Sequence, residues 1–345
     1  MLNLYDLDYT ALEAQVGAWG QSPAHAREVW RWLYRQLPIT LTPPDTLPAA
    51  LREALIAQTR LYIPPVLARQ EAEDGSRKAL LLLEDGEQVE VVTLRYRQRY
   101  SACISTQVGC ACGCTFCATG QQGFTRNLSN GEIVAQVLHV RRTLAAQGAA
   151  LNNFVLMGMG EPLLNYAATV AALRQLTDAR GAGFTARRIT LSTVGIPEGI
   201  RRLAEEPLGV NLALSLHAAS DELRDRLIPL NARYPLAVLR EAMLDYTART
   251  GRRIMIEWTL IAGVNDTPEQ AAALIGWLQE IPAHVNLIRL NPTATCPEQP
   301  ASLEALETFA AALDRAGIPR TVRQRRGQEI AAGCGQLRAK EHERG

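Results

Sequence analysis

From residue 101 to about residue 326, short apolar runs alternate with segments of helical spacing, and this alternation constrains the fold more than any other feature of the 345-residue chain. Repeated strand-then-helix units bury both faces of a parallel sheet. The runs fall at 100–106, 151–157, 188–193, 210–216, 253–261 and 284–290. Six such units predict an α/β fold, a partial (β/α)6 barrel. In barrels of this kind the chemistry gathers at the C-terminal ends of the strands. The sequence carries polar or glycine-rich clusters there: a cysteine loop after the first run, then Gly158-Met-Gly160-Glu161-Pro162, Ser192-Thr-Val-Gly195, Ser215-Leu-His217 and Asn291-Pro-Thr. Taken singly, each has an ordinary reading as a turn, a helix N-cap or a satisfied core histidine.

Residues 1–70 read as a small helical accessory domain. Within it Arg27, Arg31 and Arg35 recur one turn apart beside Trp30 and Trp32. That stripe reads first as a solvated face, with a phosphate-contacting face interleaved with the two tryptophans as the alternative. Prolines at 43–44 and 64–65 punctuate the chain before two β-like runs, 79–83 and 88–96, around Glu84-Asp85-Gly86-Glu87. These predict a β-hairpin linker over 71–100. The barrel would then span 101–326, and a C-terminal segment, 327–345, carries one more cysteine.

Composition is that of an ordinary globular protein: 47% hydrophobic residues, 21% charged, formal net charge +1. This excludes a disordered or collagen-like chain. No apolar run approaches the roughly 18–20 residues that cross a bilayer, so no membrane partner is expected and the expected location is the cytoplasm. Of 36 basic residues only Lys78 and Lys340 are lysine, a bias spread along the whole chain. Seven cysteines without a secretory signal argue for metal or redox chemistry rather than a disulfide framework.

Cys110-Ala-Cys112-Gly-Cys114-Thr-Phe-Cys117 contains the spacing Cys-x3-Cys-x2-Cys at Cys110, Cys114 and Cys117. Three thiolates on one tight loop can hold three irons of a 4Fe-4S cluster and leave the fourth iron open. The alternative is structural zinc, which takes four ligands, commonly from two separated pairs. Cys112 could supply a fourth, but cysteines crowded two residues apart fit that pattern poorly.

With Phe116 just before the last cysteine and Gly160-Glu161-Pro162 after the second strand, the sequence resembles the radical S-adenosylmethionine (SAM) superfamily. Flanking segments narrow the likeness: Cys103-Ile-Ser-Thr-Gln-Val-Gly-Cys110, Phe116-Cys-Ala-Thr-Gly-Gln-Gln-Gly-Phe-Thr-Arg-Asn127, Met157-Gly-Met-Gly-Glu-Pro-Leu163 and Ala332-Gly-Cys334-Gly-Gln-Leu337. They are similar to the RlmN/Cfr family of RNA adenine methyltransferases over nearly the whole chain, and the RlmN branch is nearer, chiefly through Gln121-Gln-Gly-Phe-Thr-Arg-Asn127. The resemblance implies methylation of adenine C2 in 23S rRNA and in some tRNAs. Ring carbon C2 lies between two nitrogens and is too electron-poor to attack SAM directly, so a radical route is required.

The resemblance further implies a 4Fe-4S cluster on Cys110, Cys114 and Cys117, and SAM held by Gly160, Glu161, Ser192, Ser215, Leu216, His217 and Asn291. It makes Cys334 the thiol that is methylated by one SAM and then loses a hydrogen to the radical made from a second. Cys103 becomes the thiol that closes a disulfide with Cys334 to release the product, and Glu90 the general base. Without the resemblance, Glu90 reads as an exposed strand residue and Cys334 as a small buried hydrophobe.

Cys112 stands where the family usually has an apolar residue and is expected to be a bystander. Cys296 has no assigned role, and Gly333 occupies a position where alanine is commoner. Expected partners are 23S rRNA and tRNA, with arginines at 95, 97, 99 and at 320, 323, 325, 326 as phosphate contacts, and a flavodoxin or ferredoxin as electron donor. A monomer is expected. Two other functions stay open: a Cfr-like C8 methyltransferase conferring ribosomal antibiotic resistance, and a non-catalytic zinc-binding RNA-binding protein.

Overall fold

The computed structural model describes residues 1–338 except 98, 294 and 295. One ten-stranded sheet dominates it: β1 (Val66–Glu71), β2 (Arg77–Leu82), β3 (Gln88–Tyr96), β4 (Arg99–Cys103), β5 (Leu151–Leu156), β6 (Ile189–Thr193), β7 (Asn211–Ser215), β8 (Ile254–Leu260), β9 (Ala283–Arg289) and β10 (Arg320–Val322). Every strand lies beside its neighbour in sequence. β1 to β4 pair antiparallel, whereas β4 to β10 are all parallel. Parallel neighbours need a crossover, and helices such as Asn130–Ala145, Tyr166–Thr177 and Leu236–Thr250 supply it. The six strands expected from the apolar runs are therefore β4 to β9, and β10 adds a seventh parallel strand. β10 and β4 do not pair, so the barrel is open on one side.

Two expectations change. The 71–100 hairpin does form, as β2 and β3, but it is no spacer between domains: β3 pairs with β4 and extends the barrel sheet outward. Val89 and Val91, nearly fully buried, give that pairing its apolar side. The helical residues 1–58 are also packed tightly onto the barrel. Trp30 and Trp32 are 0% and 3% exposed, so the aromatic half of the alternative phosphate-contacting face is core instead. Arg35 donates to the carbonyls of Ala179 (2.7 Å) and Gly181 (3.1 Å), and Arg142 donates to the Tyr5 hydroxyl (2.6 Å). Arg27 and Arg31 remain exposed.

Among the described residues, no helix is long and apolar enough to cross a membrane.

Candidate active site

The cysteine loop is closed by its own flanks. Gln107–Gly109 pairs antiparallel with Phe124–Asn127, and Cys110 N–H donates to the Gly123 carbonyl at 2.7 Å. Gly109 has φ +72°, and a Cβ there would lie 1.9 Å from the Gly123 oxygen, so only glycine permits this closure. Within the loop Cys110, Cys114 and Cys117 face a cavity of about 140 Å³, together with Gly160, Glu161, Ser192, Ser215, His217, Glu257, Asn291 and Cys334.

Cys112 does not line that cavity. It is buried behind the cavity wall in an apolar cluster with Cys114, Phe116, Leu223, Leu227 and Cys296, and its thiol bonds to the Cys110 sulfur. That bond holds the Cys110 thiol below its ordinary value. Burial raises Cys114 and Cys117, so a metal binding there must displace protons. Among the described residues no group of three His, Cys, Asp or Glu is placed to hold a single metal ion. A cluster asks for something different, since each thiolate bonds its own iron; three thiols from one closed loop facing one cavity are the donor set it needs.

Six of the seven positions expected to hold SAM line the same cavity. Leu216 is the exception: its side chain is fully buried in the core, and only its backbone lies between Ser215 and His217. Gly160 turns with φ +99° against Gln107, whose Oε1 accepts the Glu161 N–H at 2.8 Å. Glu161 accepts backbone N–H bonds from Leu163 (2.9 Å) and Val194 (2.8 Å), while burial lifts its carboxyl to about 7. The motif thereby ties the end of β5 to the end of β6. His217 has φ +58° and accepts the Thr259 N–H on Nδ1 at 2.9 Å, which leaves Nε2 as the N–H of a neutral ring. Burial, aided by Arg224, pushes its pKa down to about 3.

A second, larger cavity of about 910 Å³ is lined by residues of β3 to β6 and of β8 to β10. Its lining includes Arg99, Arg187, Arg188, Arg323, Arg325 and Arg326 and, among the described residues, no carboxylate. Of the arginines expected from sequence, Arg99, Arg323, Arg325 and Arg326 are there; Arg95, Arg97 and Arg320 are not, and Arg320 is paired with Asp314. Sequence reasoning missed Arg187 and Arg188, which precede β6 at the opposite end from the motif residues. Cys103 lines this second cavity, and Cys334 lines both.

The C-terminal segment reaches this junction because it is stitched to the cysteine loop. Ala118 N–H donates to the Gly335 carbonyl (2.8 Å), Thr119 to the Leu337 carbonyl (2.5 Å), and Asn291 Nδ2 to the Cys334 carbonyl (3.1 Å). A Cβ on Gly333 would stand 2.7 Å from that Asn291 nitrogen, so glycine in place of alanine suits the contact. Cys334 is open to solvent, not the buried hydrophobe its type suggests. Desolvation and then the neighbouring Cys334 push the Cys103 thiol up to about 12. Both thiols are free.

Glu90 is 5% exposed, against the bland expectation of an exposed strand position. It pairs with Lys78 (2.9 Å) and accepts the Arg338 N–H (2.7 Å), but it lines neither cavity. Cys296 is buried and donates to Glu298 at 3.0 Å.

An open parallel barrel with three thiols from one loop and a Gly-Glu-Pro turn at its strand ends defines a radical SAM protein. The profile described as the Radical SAM superfamily matches residues 104–275. The dual-specificity RNA methyltransferase RlmN 1 of Myxococcus xanthus is 48% identical over 98% of this chain and 94% of its own length. The dual-specificity RNA methyltransferase RlmN of Magnetococcus marinus is 44% identical over 92% of this chain and 89% of its own. The crystal structure of a radical SAM methyltransferase from Sphaerobacter thermophilus superposes with a TM-score of 0.94 at 45% identity, covering 99% of this chain and 100% of that one. The chain belongs to the RlmN family of dual-specificity RNA methyltransferases, and is a SAM-dependent radical methyltransferase whose cofactors are a 4Fe-4S cluster and SAM.

Proposed function

We propose that this enzyme methylates C2 of an adenosine in the peptidyl-transferase region of 23S rRNA and of the adenosine 3′ of the anticodon in some tRNAs, using two SAM per turnover. It would act in the cytoplasm, as a monomer, with a flavodoxin or ferredoxin as electron donor. The observation that carries the reading is the position of Cys334, where a cavity lined by the three loop thiols meets a cavity walled by six arginines. A dense positive wall without carboxylates suits a polyanion, and a base must leave its stack to enter such a recess.

Cys110, Cys114 and Cys117 would hold the cluster, and Gly160, Glu161, Ser192, Ser215, His217, Asn291 and the Leu216 backbone would hold SAM. When bound, the pair supplies reductive cleavage of SAM and with it a hydrogen-abstracting radical. Cys334 takes the methyl of one SAM on its sulfur as its thiol proton leaves, and Arg323 opposes the rise in that thiol's pKa. Its methyl then gives up a hydrogen and bonds the ring carbon. Glu90 is given the ring proton by the family likeness alone; Cys103 attacks the Cys334 sulfur, the sulfur–carbon bond breaks as the disulfide forms, and the freed methylene takes a proton to become the product's methyl group; both thiols line the larger cavity.

Anaerobic incubation with reductant, SAM and unmodified 23S rRNA fragment, followed by nucleoside chromatography, tests this. A 2-methyladenosine peak is expected. An 8-methyladenosine peak would overturn the regiochemistry, and 5′-deoxyadenosine without either methylated nucleoside would overturn the substrate.

A further inference from the structure

We infer that Glu257 is a specificity-determining residue that accepts a hydrogen bond from a ribose hydroxyl of SAM. The inference rests on the reading that SAM occupies the smaller cavity, and adds a residue that no motif singled out. Glu257 lies on β8, in register with Ser215 on β7 and Asn286 on β9. It is 4% exposed, and its side chain lines the cavity shared by the three loop thiols, Ser192, Ser215 and Cys334.

Its two oxygens differ. Oε1 accepts from Asn286 Nδ2 at 2.8 Å, and an Arg323 guanidinium nitrogen lies 3.8 Å from the same atom. Oε2 is shielded from solvent and has no hydrogen-bond partner among the described residues. A buried carboxylate oxygen left unmatched is costly, and such atoms in folded proteins nearly always meet a donor. The missing donor must come from what fills the cavity. SAM offers three kinds: its amino group, its adenine amine and its ribose hydroxyls. The amino group belongs to the Gly160-Glu161 turn in the proposed site. Beside Glu257, the hydroxyls of Ser192 and Ser215 stand 3.4 Å apart. A carboxylate oxygen beside two hydroxyls that both donate and accept is matched to a vicinal diol. A site built around such a bond rejects a ligand lacking the hydroxyl, because the carboxylate oxygen is then left unpaired.

The test is a cycle of protein variants and ligands. SAM, 2′-deoxy-SAM and 3′-deoxy-SAM are titrated calorimetrically, without RNA, into anaerobic cluster-loaded enzyme, wild type and Glu257→Gln, with Glu257→Ala as a second variant; circular dichroism and cluster absorbance check that each is folded and loaded. In wild type, deleting the bonded hydroxyl should weaken binding about 10- to 100-fold, as expected for a bond to a charged group. In the variants SAM itself should bind more weakly and that penalty should largely vanish. Equal wild-type affinity for all three ligands overturns the inference even if neither variant folds, and so does an undiminished penalty in folded variants. If wild type fails to bind SAM, the reading beneath it fails instead.

Discussion

Arg224 should matter more than any other charged side chain outside the motifs. It is 1% exposed on the helix Asp221–Leu227, and it holds three strand-end carbonyls at once. Its Nε donates to Leu216 O (3.1 Å), its terminal nitrogens to Val194 O (2.5 Å), Ser215 O (3.3 Å) and Asn231 Oδ1 (2.8 Å). It therefore ties the end of β6 to the end of β7, the two segments that carry Ser192 and Ser215–His217. Burial lowers its own pKa to about 10, opposed by Cys114 and then the acids beside it. Arg224→Met removes every one of these bonds, and of the three carbonyls Leu216 O keeps another donor, the Ala218 N–H. A buried acceptor left without its donor costs about 1–3 kcal/mol, so losing several at once is a large part of a total stability of about 5–15 kcal/mol. Arg224→Lys keeps the charge but not the fork, and should fall between. Equilibrium urea unfolding followed by tryptophan fluorescence measures the loss, and SAM titration should show weakened binding in whatever fraction folds. A loss below about 1 kcal/mol for Arg224→Met would refute the claim that this one side chain pins both strand ends.

Three further outcomes are expected. His217 is held neutral with a pKa near 3, below the unfolded value of about 6.5, so its contribution is complete above pH 6.5 and is lost as pH falls toward 3. At pH 5 that amounts to about 2 kcal/mol, and His217→Asn, which tolerates the left-handed backbone and keeps an acceptor, should lose stability less steeply between pH 7 and 5; parallel slopes would contradict this. Gly160→Ala puts a Cβ 2.5 Å from the Gln107 Cβ at φ +99°, so thermal denaturation should show a destabilised protein and titration a weakened grip on SAM; wild-type behaviour in both would mean the turn is not constrained. Cys112→Ala, at a residue that does not line the cavity, should retain wild-type iron content after anaerobic reconstitution, whereas Cys114→Ala should not; equal iron loss in both would make Cys112 a ligand.

What could be read from the sequence was what is local. Apolar runs located β4 to β9 within a residue or two, except that the first run splits after Cys103 and resumes at Gln107. The cysteine spacing was legible because its three thiols share one short loop. Trp30 and Trp32 misled because helical spacing says which residues share a face but not what covers it. Glu257 carried no signal at all: an acid inside the strand Ile254–Leu260 has the same spelling whether it faces solvent or a cavity.

The sequence by itself determined the repeated strand-and-helix units and the loop that gathers three thiols, because spacing of a few residues sets both. Only the tertiary structure decided that Cys103 and Cys334, 231 positions apart, face one cavity, that Cys112 stays out of the cavity its neighbours line, and that Arg187 and Arg188 join arginines from β4 and beyond β10. Those outcomes depend on which strands pair and where the open edge of the sheet falls, and such pairings are settled by burial of the whole core.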